Sequence, residues 1–170
     1  QGQLTELAPA DTRQLAISHL LGHFEKAPDS VAGLDFAFSM PAWFLTELGA
    51  SSAIELWPLV SRRGEEWLAR CDPPFWGRPG KPKPELPSHY RRAEKLVADV
   101  GGIRPKSVFQ IGGAGAVGTG SIRGMPHLPG VREAGVAVWP FDAPVRPLVV
   151  EIYPRLLTGP VVKSSYSDRL

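Results

Sequence analysis

The stretch VFQIGGAGAVGTGSIRG, residues 108–124, constrains the fold more than any other part of the chain. Gly113, Gly115 and Gly118 form the pattern G-x-G-x-x-G after an apolar run, which is the fingerprint of a dinucleotide-binding turn. That turn needs a helix that begins at the third glycine. Three glycines and two prolines follow over residues 120–130, and in a helix they cost about 1 and about 3 kcal/mol each. The stretch therefore predicts a tight loop rather than a helix or a dinucleotide site.

A phosphate-binding role is the second interpretation of this loop. Backbone N–H groups around Gly115, beside the side chains of Thr119, Ser121 and Arg123, could form a nest that holds a phosphate. Such a nest suits a nucleic-acid backbone as well as a nucleotide. A helix beginning at Gly118 would instead favour the dinucleotide interpretation, with Asp142 as its acidic residue.

The remaining apolar patterns alternate between helical and extended periods, which predicts an α/β fold in three layers. Strands are expected over residues 2–7, 30–38, 106–111, 136–142 and 147–154. The segment 72–87 contains six prolines, so it predicts a long irregular loop. All of these elements are assigned to a single domain, residues 1–170.

Cap residues predict where three of the helices begin. Asp11 or Thr12 is expected to cap the first helix, and Ser88 to cap an amphipathic helix that follows it. Ser52 has capping-box spacing with a glutamate three residues later, and the helix after it is expected to break near Arg63 and Gly64.

Two carboxylates interrupt apolar runs. Asp35 lies within VAGLDFAFSMP and Glu151 within PLVVEIYP, so both are expected on buried strands. A carboxylate there is costly unless it is paired, hydrogen-bonded or bound to a metal. At the ends of neighbouring strands the two could share Mg²⁺ or Mn²⁺, which can clamp a phosphodiester. In the alternative interpretation, each acid pairs with an arginine or caps a helix.

The composition limits which kinds of site, location and partner we expect for the protein. Cys71 is the single cysteine, which excludes an internal disulfide and a Cys-based zinc site and favours a cytoplasmic location. No apolar run is as long as a membrane span, so no membrane partner is expected. The net charge of +2 does not by itself require a nucleic-acid partner. The chain begins at Gln1, and we expect it to be a piece of a longer protein.

Five segments occur in the order seen in one known family: VAGLDFAFSMPAWFL, HYRRAE, PKSVFQIGGAGAVGTGSIRGMPHL, GVAVWPFD and VVEIYPRLLTGPVVKS. On these segments, over about residues 30–165, the chain resembles the DUF 429 family of predicted RNase H-like nucleases. The most specific pieces are G-[LI]-D-F-x-F-S-x-P and the run K-S-V-F-Q…G-T-G-S-I-R-G. Ala37 stands where the family usually has proline.

The resemblance implies an RNase H-like fold, with a mixed β-sheet flanked by helices and acidic residues on its central strands. Asp35 and Glu151 match two of the family's acids. Lys106 and Arg123 fall in motifs for which a phosphate-facing role is expected. The family opens with a strand that bears another acid and closes with an acidic helix. Neither is in this sequence, so we expect the fold to be incomplete at both ends.

The resemblance also covers an R-x-x-E pattern. Arg91 and Glu94 match it, and we interpret the two residues as an internal salt bridge rather than as ligands.

These observations predict a metal-dependent nuclease of RNase H-like type that hydrolyses phosphodiesters. Asp35 and Glu151 are its expected catalytic residues and its ligands for Mg²⁺ or Mn²⁺. The expected phosphate-binding residues are Lys106, Gly115, Thr119, Ser121 and Arg123. The alternative is a non-catalytic module of the same fold that binds nucleic acid, a nucleotide or a protein.

Overall fold

A computed structural model describes residues 3–98, 105–154 and 156. The helices are α1 (Arg13–Lys26), α2 (Ala42–Glu47), α3 (Ala53–Arg70), α4 (Arg92–Ala98), α5 (Gly118–Gly124) and α6 (Leu128–Glu133), with a 3₁₀ turn over Met125–His127. The strands are β1 (Val31–Leu34), β2 (Ala137–Trp139) and β3 (Leu148–Glu151). The chain divides into two compact units. The first comprises residues up to Ala32 with His127–Val150, and the second Gly33–Pro126 with residues from Glu151 onward. The single domain stays a prediction.

The three strands lie in the order β1-β3-β2. β2 and β3 are parallel, with Val138 opposite Val149. Beside β1, the Leu148 N–H donates to the Ser30 carbonyl at 3.2 Å. Four residues further along both segments, the Ile152 N–H donates to the Leu34 carbonyl at 3.1 Å, so this pair is parallel too. The α/β class is therefore confirmed. The mixed sheet, the three layers and the RNase H-like arrangement stay predictions.

Several predicted strands differ from the structure. β2 and β3 lie within the predicted segments 136–142 and 147–154, but β1 ends at Leu34 and its Val31 side chain is 48% exposed. Residues 3–7 form no strand. Residues 106–111 form only an isolated bridge, between Gln110 and Trp76. The Ser107 carbonyl accepts the Gln110 N–H at 3.0 Å, which turns this segment back on itself.

The first predicted helix cap is confirmed at Thr12, whose Oγ1 accepts the Leu15 N–H at 3.1 Å. The Ser52 hydroxyl caps α3 by accepting the Glu55 N–H at 3.3 Å. The predicted break at Gly64 is wrong, because α3 continues to Arg70. A Cβ at position 64 would lie 2.7 Å from Cγ2 of Ile122, so the glycine lets α3 and α5 pack closely. None of the described helices combines the length and the apolar character needed to cross a membrane.

Ser88 does not cap the amphipathic helix, which begins at Arg92, three residues later than predicted. Its hydroxyl donates to the Tyr90 carbonyl at 2.8 Å and accepts the Tyr90 N–H at 3.2 Å, which forms a local turn. The Glu94 carboxylate instead caps α4 by accepting the Arg91 N–H. The predicted end of this helix lies outside the described residues.

Aromatic rings form much of the core of the second unit. Phe109 packs edge-on against Phe44 and Phe75, with ring centroids 5.2 and 5.6 Å apart. Trp67 of α3 stacks on Phe75 at 5.5 Å. The proline-rich segment is irregular as predicted, and Phe75, which is only 3% exposed, attaches it to this cluster.

In the first unit, Asp142 links the end of β2 to α6. Nη2 of Arg132 donates to its Oδ1 at 2.8 Å, and the Val138 N–H donates to its Oδ2 at 2.9 Å. The hydrogen bond from Arg132, with a smaller contribution from the Val138 amide, holds the pKa of Asp142 below its usual value. A carboxyl with a lowered folded pKa adds stability above its unfolded pKa, and that stability is lost as the pH falls through the folded pKa.

We expect Asp142→Asn to lower the free energy of unfolding by about 1 kcal/mol at pH 7, since the pair is partly exposed. The difference from wild type should begin to narrow below about pH 4, near the unfolded pKa, and should close as the pH falls through the lower folded pKa of Asp142. Urea unfolding between pH 7 and pH 3 measures this. Asp29→Asn is the control, because Asp29 is 89% exposed in its pair with Arg146. A difference that stayed constant across this pH range would contradict the assignment.

Candidate functional site

The second unit contains a cavity of about 120 Å³, lined by residues that are far apart in the sequence. The lining residues are Asp35, Phe36, Ala37, Arg91, Ala93, Glu94, Val97, Pro105, Lys106, Val108, Val117, Ser121, Glu151, Ile152 and Tyr153. We call it the acidic cavity, because its lining has three carboxylates against two basic groups. Four of the predicted site residues, Asp35, Lys106, Ser121 and Glu151, thus come together there.

Asp35 lies at the bend that follows β1, and it is exposed. The prediction that it sits on a buried strand is therefore wrong. Within the described ranges, no hydrogen bond or ion pair engages its carboxylate, so both oxygens remain available to a ligand at the rim of the acidic cavity.

Side chains, rather than a neighbouring strand, hold the backbone that follows Asp35. The Ala37 N–H donates to Oγ of Ser121 at 3.0 Å, and the Phe38 N–H donates to Oε2 of Glu151 at 3.0 Å. The Phe38 carbonyl accepts a hydrogen bond from Nε1 of Trp57 at 2.7 Å. These bonds replace the strand pairing that the sequence predicted, and they fix the segment that lines the cavity.

Glu151, at the end of β3, pairs with Arg91. Nη1 of Arg91 donates to Oε2 at 2.8 Å and Nη2 donates to Oε1 at 2.5 Å. Both carboxylate oxygens are thus occupied, since Oε2 also accepts the Phe38 amide. Of the two interpretations of Glu151, pairing with an arginine is the one that the geometry supports.

Arg91 also binds Glu94, which confirms the salt bridge expected from the R-x-x-E pattern. Its Nε donates to Oε1 of Glu94 at 2.6 Å. The side chains of Arg91 and Glu94 are only 14% and 10% exposed. Burial alone would lower the pKa of Arg91, but its hydrogen bonds to Glu151 and Glu94 and their charges outweigh this and raise it. Arg91 therefore stays charged at any ordinary pH.

Lys106 lines the acidic cavity, and Gly115, which does not line it, lies beside the lysine side chain. Lys106 is exposed and, in the part of the chain that the structure describes, has no ion-pair or hydrogen-bond partner. Its Cε lies 3.3 Å from the place that a Cβ on Gly115 would take. Gly115 has φ +74°, which favours glycine, so this turn brings the loop close to the lysine stem.

The other predicted phosphate-binding side chains have partners within the chain. Oγ1 of Thr119 donates to the Ile111 carbonyl at 3.0 Å. Ser121 is fully buried and its hydroxyl donates to the Val117 carbonyl at 3.0 Å. Nε of Arg123 donates to Glu65 at 2.7 Å, and neither Thr119 nor Arg123 lines the acidic cavity. Their phosphate-binding role stays a prediction.

The prediction that the glycine stretch forms no helix is wrong, since α5 begins at Gly118. This helix start does not make a dinucleotide site. The Gly118 N–H already donates to the Gln110 carbonyl at 2.9 Å, and no strand precedes the turn, as the fingerprint requires. Asp142, its expected acidic residue, pairs with Arg132.

The sequence did not predict the link from Arg91 to Glu151 or the apolar part of the lining. No sequence pattern marked Val97, Val117 or Tyr153 as part of a site, because apolar side chains are usual in any core. Over residues 3–98, 105–154 and 156, no three side chains of His, Cys, Asp or Glu group together so as to hold a metal ion.

No family model, curated protein or solved structure matches this chain.

Proposed function

We propose that the chain is an RNase H-like, DUF 429-type hydrolase that acts on a phosphodiester of nucleic acid with a divalent cation, in the cytoplasm. One observation carries this proposal. Asp35 and Lys106, two residues predicted from the sequence to contact a cation and a phosphate, both line the acidic cavity with side chains that no described group engages. An unpaired carboxylate and an unpaired ammonium in the lining of one cavity suit a cation and a phosphate that bind together.

The residues fit a divalent cation only in part. Mg²⁺ is commonly held by one or two carboxylates, with water and substrate phosphate oxygens as its other ligands. Asp35 suits this role, because its carboxylate is exposed and unpaired. Glu151 does not suit it while Arg91 and the Phe38 amide occupy its oxygens. When bound, a divalent cation polarises a phosphoryl oxygen and activates a water.

The other charged residues then have separate roles. Lys106 would bind a phosphate oxygen as a point charge. Glu151 would act as a positioning residue, because it holds the Phe38 amide and thereby the segment that carries Asp35. The predicted role of Glu151 as a second metal ligand is replaced by this one.

A second candidate function is a binding module without catalysis, for nucleic acid or a nucleotide. The pairing of Glu151 with Arg91 favours it, since that pairing leaves Asp35 as the cavity's one carboxylate without a partner in the described part of the chain. Such a module would use the same cavity and the same lysine, but it would need no cation.

A calorimetric Mn²⁺ titration tests the proposal. We expect the wild type to bind one Mn²⁺ and Asp35→Asn to lose this binding without a loss of stability, because the carboxylate is exposed and unpaired. Hydrolysis of a fluorescent oligonucleotide should fall by at least about 100-fold in the variant, since even partners of a metal's ligands are worth 10- to 100-fold. Glu47→Gln is the control, as Glu47 is exposed and does not line the cavity.

Either of two results would contradict the hydrolase. In the first, Asp35→Asn binds Mn²⁺ as the wild type does. In the second, the wild type hydrolyses no oligonucleotide with Mn²⁺ or Mg²⁺ but still binds nucleotides without a cation, which is the behaviour of the second candidate.

A further inference from the structure

We infer that the acidic cavity admits one unpaired nucleotide unit, so that the substrate is a single-stranded end or loop rather than a duplex; this rests on the function proposed above. The cavity measures about 120 Å³, and a cavity of about 150 Å³ takes one benzene ring. It therefore has room for no more than one ring, a ribose or a pyrimidine, and part of that ring can stay outside because the lining is exposed at Asp35 and Lys106. A base within a duplex is stacked and paired, and it reaches such a pocket only when it is extruded.

The wall of the acidic cavity is partly apolar. Half-exposed apolar side chains line part of it, namely those of Phe36, Val97 and Ile152. Val117 also lines the cavity and is 36% exposed. Pockets for small ligands combine such apolar walls with a few polar groups that fix orientation. A groove for the backbone of a duplex would instead present basic side chains along its length.

The charges of the cavity lining limit how many phosphates it can bind directly. Lys106 is the one cation of the lining that no described carboxylate binds, because Glu94 and Glu151 hold Arg91. Each phosphate that a protein neutralises releases counterions. The slope of log K against log salt concentration is therefore proportional to the number of these contacts. The cavity therefore supplies one direct phosphate contact, which fits a single nucleotide unit.

The experiment compares the dinucleotide pTpT with a 12-base-pair RNA–DNA hybrid, with Ca²⁺ in place of Mn²⁺ to limit hydrolysis. We expect pTpT to bind at least about 10-fold more tightly than the hybrid. For pTpT, the slope of log K against log salt concentration should be no steeper than about −0.7, the value for one contact to a long single strand. Lys106→Met should bring this slope close to zero, whereas the control Lys95→Met, an exposed lysine outside the lining, should leave it unchanged.

A wall variant separates recognition of the ring from recognition of the phosphate. Val117→Ser should weaken pTpT binding about fivefold by removing apolar contact with the ring. The affinity for inorganic phosphate should not change. Equal weakening of both ligands would count against a ring-binding wall.

The Mn²⁺ titration and the hydrolysis assay report separately on the proposed function. If both succeed but the hybrid binds more tightly than pTpT, or with a slope of about −2.7 or steeper, which corresponds to three or more phosphate contacts to a duplex, the inference is wrong and the hydrolase stands. The inference also fails if pTpT does not bind at millimolar concentration while Mn²⁺ binds. If Mn²⁺ binding does not depend on Asp35, the proposed function fails and the inference fails with it.

Discussion

Gly118→Ala should destabilise the protein by at least about 3 kcal/mol, since overpacking against atoms that cannot move has costs of this size. A Cβ at position 118 would lie 2.8 Å from the Gln110 carbonyl oxygen and closer still to that of Val108. Both are backbone atoms, so no side chain can rotate to make room. The first turn of α5 would have to separate from residues 108–111. Urea unfolding of wild type and variant measures the loss.

The matched control is Gly120→Ala, two residues further along α5. A Cβ there meets no atom within 4 Å. Because alanine is the better helix former, this variant should be more stable than wild type by about 0.5–1 kcal/mol. Both changes restrict the unfolded chain equally, so their difference isolates the contact at Gly118. Equal effects in the two variants would show that α5 does not pack on residues 108–111 as described.

The glycine stretch shows why local rules predicted the wrong element. Glycine and proline do disfavour a long helix here, since α5 ends at Gly124 and a 3₁₀ turn follows through Pro126. Tertiary packing nevertheless overrides weak propensities. Gly118, Gly64 and Gly124 each lie where a Cβ would meet a neighbouring group, so glycine here serves close approach. A single sequence does not reveal such contacts between distant residues.

Elements defined by local signals were predictable. The cap at Thr12, the irregular proline-rich segment and strands β2 and β3 follow from short-range chemistry. The end of β1 at Leu34 was not, because the amides of Ala37 and Phe38 bond to Ser121 and Glu151. These partners lie 84 and 113 residues away in the sequence, beyond the reach of a pattern in a short window.

The candidate site was predictable to the same extent. An acid in an apolar run drew attention to Asp35 and Glu151, and both do line the acidic cavity. The structure distinguishes the two, since Glu151 is bound by Arg91 whereas Asp35 has no partner among the described residues. The family resemblance, through its R-x-x-E pattern, predicted half of the Arg91 network. The other half joins residues 60 positions apart, so only the folded chain reveals it.

Arg91→Met should lower the free energy of unfolding by about 3–5 kcal/mol, because it leaves the carboxylates of Glu94 and Glu151 partly buried without a counter-charge. Native domains are stable by about 5–15 kcal/mol, so this loss brings the variant close to unfolding at 37 °C. Urea unfolding measures it, with an unchanged m-value as evidence that the native state stays compact. Arg92→Met, at the next residue, is the control, because Arg92 is exposed. It should change stability by no more than about 0.5 kcal/mol.

A triple variant distinguishes charge from packing as the source of this loss. Adding Glu94→Gln and Glu151→Gln to Arg91→Met removes both uncompensated charges while keeping the shapes of the side chains. If charge is responsible, the triple variant should recover much of the lost stability, since neutral replacements of a buried ion set are often tolerated. If the triple variant is no more stable than Arg91→Met, the packing of the arginine stem carries the effect instead. The network would then be a packing element beneath the cavity, and Glu151 would hold the Phe38 amide without needing Arg91.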